Sequence, residues 1–145
     1  MNAAGPRMKP ASAGYSGTPL PAKLGLKSGM KLLALNAPAN LEALLAGAPD
    51  VERLTRAGSF DCALAFAKTQ AALATIFASL EPKLPDHGMI WIAWPKRTSG
   101  VATDLTEDIV RRFGLAARLV DVKVCAIDAT WSGLKFVRRL RDRRA

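Results

Sequence analysis

Two cysteines and one histidine are the only thiol and imidazole side chains in this 145-residue sequence. Cys62 and Cys125 stand far apart, each inside an apolar run. That excludes a disulfide framework and leaves too few ligands for a metal or redox centre, so two buried, reduced thiols are expected. Aromatic residues are scarce at 6%, and a core built mainly from Ala, Leu, Val and Ile follows. No apolar run approaches a membrane span; Met89 to Trp94 is strand-sized. The first ten residues, Met1 to Pro10, contain no hydrophobic stretch that would serve as a secretion signal. A cytoplasmic protein with no membrane partner is the expectation. Nor can a Ser-His-Asp, Cys-His or paired-carboxylate arrangement be assembled, so no catalytic residue is assigned. His87, before a turn glycine, reads as a solvated turn residue, and Asp61 as a turn or capping group.

What is present is a globular composition. Half the residues are hydrophobic, and the length suits one domain. Residues 1–14, rich in Gly, Pro, Ala and Ser, read as a disordered leader. Residues 15–140 read as one domain, and 141–145 as a basic tail. The net charge is +9. Part of that excess is terminal: Lys135, Arg138, Arg139, Arg141, Arg143 and Arg144 face only Asp142. Arg138, Arg139, Arg141, Arg143 and Arg144 are therefore candidate polyanion contacts through counterion release. The same group reads equally as a solvated tail, and without interleaved aromatics base stacking is not suggested.

Periodicity supplies the architecture. Turn chemistry at Tyr15 to Pro21 precedes a short apolar helix ending near Gly25. Gly29 to Asn36 reads as a strand buried on both faces. Asn40 offers an N-cap for a helix carrying Leu41, Leu44 and Leu45, closed by Gly47. Val51 to Thr55 predicts a short edge strand, because only Arg56 to Ser59 separate it from the next apolar run. Phe60 to Ala67 is a second buried strand. Thr69 caps a helix whose stripe is Leu73, Ile76, Phe77, Leu80 and Leu84. After the turn Pro85 to Gly88, Met89 to Trp94 forms a third strand. Asp104 with Glu107 predicts a capping pattern for a helix bearing Leu105, Ile109, Val110 and Phe113, ended by Gly114 with Arg111 and Arg112 in its last turn. Val120 to Val124 alternates as a half-exposed strand, and Leu134 to Val137 begins another. Between them, Asp128 to Gly133 is too short for a crossover helix, which predicts an antiparallel hairpin. The sum is a mostly parallel Rossmann-like α/β sheet with helices on both faces and a C-terminal antiparallel hairpin.

Phe60-Asp61 opening an apolar strand, Leu80 to Met89 as helix end and turn, and the terminal hairpin resemble the closing half of a truncated class I methyltransferase-like fold, from about Leu26 to Arg139. Tyr15-Ser16-Gly17-Thr18-Pro19-Leu20, Leu35-Asn36-Ala37-Pro38, Ala93-Trp94-Pro95-Lys96 with Ser99-Gly100, Thr103-Asp104-Leu105-Thr106-Glu107 and Trp131-Ser132-Gly133-Leu134-Lys135-Phe136 resemble a family of small bacterial proteins of unknown function. That second likeness implies no activity. The first implies S-adenosylmethionine, which needs glycines after the first strand so that the backbone can approach it. Here that loop reads Leu35-Asn36-Ala37-Pro38-Ala39-Asn40, and no acidic residue for ribose hydroxyls ends the second strand, near Leu54-Thr55-Arg56. On those grounds no cofactor is expected and S-adenosylmethionine is disfavoured.

The candidate ligand site is the loop Trp94 to Gly100 leading into Thr103 and Asp104. It should lie at the carboxyl edge of the sheet, where open α/β folds bind ligands. Asn36 and Lys68 follow their own strands to the same edge. Asn36, Lys68, Trp94, Lys96, Ser99, Thr103 and Asp104 are thus expected to form one concavity suited to a phosphate or carboxylate, the alternative being a well-capped loop over the core. Three functions are consistent with these residues. They are a non-catalytic methyltransferase-like domain binding an anionic small ligand or a macromolecular partner, a divergent S-adenosylmethionine-dependent transferase, and a nucleic-acid accessory protein acting through its basic C-terminus. The glycine-free loop favours the first of them.

Overall fold

A computed structural model describes residues 18–56 and 58–143. The proposed leader, Tyr15 to Gly17, and Arg144 lie outside the described residues. Six strands form one sheet: β1 (Lys31–Leu35), β2 (Glu52–Leu54), β3 (Cys62–Phe66), β4 (Met89–Pro95), β5 (Leu119–Ala126) and β6 (Trp131–Arg138), in the order β2-β1-β3-β4-β6-β5. The first four run parallel; β6 is antiparallel to β4 and to β5. Four helices join them: α1 (Leu20–Leu24), α2 (Leu41–Leu44), α3 (Gln70–Leu80) and α4 (Glu107–Ala116). Among the described residues no helix is long and apolar enough to cross a membrane.

Strand alternation sends successive side chains to opposite faces. Leu33, Ala63, Ala65, Ile90, Ile92, Leu134 and Phe136 pack under α3 and α4. Leu32, Leu64, Phe66, Met89, Trp91 and Trp131 pack under α1 and α2. The central strands β3 and β4 are buried along their whole length, as continuous apolar runs predict. Cys62 is buried among them and Cys125 is half-buried on β5; both are free thiols. α1 ends where Gly25 turns left-handed at φ 81°. The Trp91 indole donates to the Leu24 carbonyl at 2.9 Å, fastening that helix end to the sheet.

Several local expectations need correction. α2 is a single turn, and Asn40 precedes it without a side-chain capping bond. Thr69 does cap α3, accepting from the Ala72 amide at 3.1 Å. Asp104, however, does not cap its own helix. Thr106 does so, accepting from the Ile109 amide at 3.2 Å, while the Asp104 carboxylate accepts from the Gln70 amide at the start of α3. Gly114 does not end α4, which runs on to Ala116. Its role is packing: a Cβ there would overlap the Phe136 ring. With α4 longer than predicted, Arg111 falls mid-helix, bound to Glu107, Asp108 and Asp121.

Candidate functional site

The chain leaves β1 toward β2 on one side and returns to β3 on the other, so the winding reverses between β1 and β3. α2 and α3 depart to opposite faces there, which opens a crevice at the carboxyl ends of these strands. Asn36 stands at the end of β1 with φ 55°, and its amide donates to the Phe66 carbonyl at the end of β3, at 3.3 Å. The crevice holds about 290 Å³ and is lined by Asn36, Phe66, Ala67, Lys68, Ala72 and Trp131 among others. The Phe66 and Trp131 rings meet edge to face at 5.0 Å.

A second cavity of about 380 Å³ lies beside it, lined by Trp94, Lys96, Arg97, Thr103, Glu107 and Ser132 among others. The single concavity expected from sequence is therefore two. What parts them is the chain before α4. Thr103 donates its hydroxyl to the Lys68 carbonyl at 2.6 Å, the Asp104 amide donates to the same oxygen, and the Gln70 amide donates to the Asp104 carboxylate at 2.9 Å. Asn36 and Lys68 line the first cavity; Trp94, Lys96 and Thr103 line the second. Ser99 and Asp104 line neither. The Ser99 hydroxyl donates to the Lys96 carbonyl and accepts from the Val101 amide, closing a tight turn. These groups form the well-capped loop that was the alternative reading.

Trp131 and Ser132 were missed. Register places them here, since Pro95 pairs with Trp131 and Trp94 with Ser132. The antiparallel hairpin was the available signal, because its turn has to rise to the same edge as the loop after β4.

The arginines lie at the opposite, amino edge. Arg138 is withdrawn from the polyanion group, with a side chain only 16% exposed. It donates to the Glu81 carboxylate and carbonyl and to the Leu84 carbonyl, and so clamps the end of α3 to β6. Arg139 pairs with Asp142 at 2.8 Å, and the Arg143 guanidinium donates to the Arg138 carbonyl. Arg141 is exposed within the turn Leu140–Asp142. Also at this edge, Asp61 accepts from the Lys31 amide at 2.9 Å and meets His87 at 3.0 Å. The Lys31 amide first, and His87 second, hold its carboxyl below the ordinary range. Among the described residues no group of three His, Cys, Asp or Glu side chains could hold a metal ion.

No family model and no curated protein matches the sequence, so the resemblance to small bacterial proteins of unknown function gains no support there. Solved structures do match. An O-methyltransferase family 2 protein from Planctomyces limnophilus, in complex with apigenin, superimposes with a TM-score of 0.57 at 11% identity over 77% of this chain. The chain spans only 50% of that protein's length. Magnesium protoporphyrin IX methyltransferase from Synechocystis, with S-adenosylmethionine bound, gives 0.52 at 12% identity, covering 83% of this chain and 74% of that one. Fibrillarin from Aeropyrum pernix, with natively bound S-adenosyl-L-methionine, gives 0.52 at 14%, covering 81% and 73%.

The chain has a class I methyltransferase-like fold. One expectation is overturned by these neighbours: S-adenosylmethionine is bound in solved structures of this fold and is not to be set aside here. The physical reason lies in Asn36. The sharp left-handed turn after β1, which glycine usually supplies, is made by an asparagine at φ 55°, the residue type besides glycine that adopts it most readily.

Proposed function

We propose that this domain is a divergent S-adenosylmethionine-binding member of the methyltransferase-like fold, with the cofactor in the β1–β3 crevice. The observation that carries the reading is the crevice itself, at the point where the winding reverses and bounded by the ends of both strands. Its side chains suit the molecule. Phe66 and Trp131 offer aromatic surface to an adenine, and the small Ala67 and Ala72 let a ligand approach the backbone. Lys68 at the rim suits the methionine carboxylate, and Asn36 and Thr69 are the hydrogen-bonding groups available to ribose hydroxyls in place of an acid. Bound there, the cofactor supplies an electrophilic methyl group on a sulfonium. The cavity of Trp94 and Lys96 would take the acceptor; with Glu107 already paired to Arg111, Lys96 and Arg97 favour one that carries negative charge.

Calorimetric titration with S-adenosylmethionine and with S-adenosylhomocysteine tests this. Saturable heat is expected from wild type and none from Ala72→Trp, which fills the crevice from the half-buried first turn of α3. Absence of binding by wild type in the millimolar range, or unchanged binding by the variant, would overturn the proposal.

A further inference from the structure

A third cavity, of about 520 Å³ and larger than either at the carboxyl edge, opens between α1 and the outer strand β5. α1 is five residues long, too short to roof the sheet as far as its last strand. The walls include Ala22 and Lys23 from α1, Lys123, Val124 and Cys125 from β5, and Ser132 from β6. Only Ser132 is shared with the Trp94 cavity.

Its charge is one-sided. The Lys23 ammonium donates to the Ala126 carbonyl at 2.9 Å, and the Lys123 ammonium to the Lys23 carbonyl at 3.1 Å. These bonds hold both head groups at the cavity while leaving each with further N–H donors. A third ammonium, Lys135, stands 3.9 Å from where a Cβ on Gly25 would lie. Among the described residues none of the three meets a carboxylate in an ion pair, and no acidic side chain lines the cavity. The remaining apolar surface is that of Ala22, which is exposed, and of the lysine stems. Among the described residues no aromatic ring lines the cavity, so none of them stacks a nucleobase there. Residues 1–17 contain Arg7 and Lys9 and no acidic residue, so that segment offers no carboxylate to pair with the lysines.

We propose that this cavity binds an amphiphilic anion: one carboxylate or phosphate head between Lys23 and Lys123, on an aliphatic body lying along Ala22 and the lysine stems. The lysines suit the head as strongly charged donors, and covering Ala22 and the lysine stems supplies the apolar part of the affinity.

The test titrates full-length protein with decanoate, decyl phosphate and uncharged decanol. At least one anion should bind saturably, and the stronger of the two assigns the head as carboxylate or phosphate; decanol should bind about tenfold more weakly. Lys123→Met, which keeps an apolar stem on an exposed strand position, should weaken the anion about tenfold. Ala22→Trp should abolish binding, with both variants checked for wild-type melting. Location has its own readout. Iodoacetamide should label Cys125 and not the buried Cys62, and the bound anion should slow that labelling. Equal binding of anion and alcohol, unchanged affinity in Lys123→Met, unprotected Cys125, or no binding by either anion in the millimolar range would each overturn the proposal.

Discussion

The two faces of the sheet solve one burial problem in opposite ways. Under α3 and α4, of 11 and 10 residues, the central strand β3 offers only Ala63, Ala65 and the following Ala67. The helices bring the bulk there and approach closely, with Gly114 lying against Phe136. Under α1 and α2, of five and four residues, the sheet supplies the bulk itself through Leu64, Phe66, Met89, Trp91 and Trp131. The long helices reach the outer strand, where Arg111 of α4 binds Asp121. The short ones leave β5 uncovered on their face, where Lys123 is exposed and a lysine-lined cavity opens. Cavities arise here from missing roof, not from poor packing of the core.

The contrast can be broken most severely at Trp91. It is wholly buried and is the side chain that holds α1 down. Trp91→Ala should cost about 4 kcal/mol by denaturant titration, through lost apolar burial and an open void. Trp91→Phe should cost less but still release α1, seen as faster amide exchange at Lys23 and Gly25, whose amides bond within that helix. If both variants unfold as wild type does, α1 is not pinned through this ring.

On the other face, Gly114→Ala drives a methyl group into Phe136 and should cost about 2 kcal/mol, the usual price of overpacking. Adding Phe136→Leu should recover part of that loss, giving a coupling that strictly additive effects would disprove.

Helix ends sharpen the comparison at lower cost. Thr69→Ala and Thr106→Ala each remove a side-chain cap from a long helix and should cost about 1 kcal/mol. Asn40→Ala precedes a one-turn helix to which its side chain donates no cap, and its melting temperature should match wild type. A loss at Asn40 equal to that at Thr69 would contradict this difference between the faces.

The smallest effect is electrostatic. Hydrogen bonds from the Lys31 amide and His87 lower the Asp61 pKa in the folded protein. Its contribution is therefore complete above about pH 4, the unfolded value, and fades as pH falls through the lower folded value. The stability gap between wild type and Asp61→Asn should narrow from pH 6 to pH 3. A gap that stays constant would show that Asp61 acts through shape alone.

Much of the fold was legible because burial writes itself into periodicity. The continuous apolar runs at Cys62 to Phe66 and Met89 to Trp94 marked strands covered on both faces, and Leu73, Ile76, Phe77 and Leu80 marked one stripe of a helix. Helix boundaries were less legible. Asp104, Thr106 and Gly114 are each of a type that ends or starts helices, and the choice among them depends on contacts with Gln70 and Phe136 that lie far away in sequence. For the candidate site, the place of its residues in the fold was legible and the shape they make was not. Asn36 and Lys68 reach the edge that strand direction dictates, yet Thr103 and Asp104 turn inward to the start of α3 and divide the expected concavity in two.

By itself, then, the order of residues determined the element types, the parallel core with its antiparallel end, and the edge to which Asn36 and Lys68 are carried, because these follow from side-chain period, chain length and strand direction. Only the tertiary structure decided that an asparagine could make the turn after β1, that Arg138 would be clamped inward, and that three lysines distant in sequence would gather beside β5. Each depends on backbone geometry or on neighbours brought together by strand register, and neither is written in local pattern.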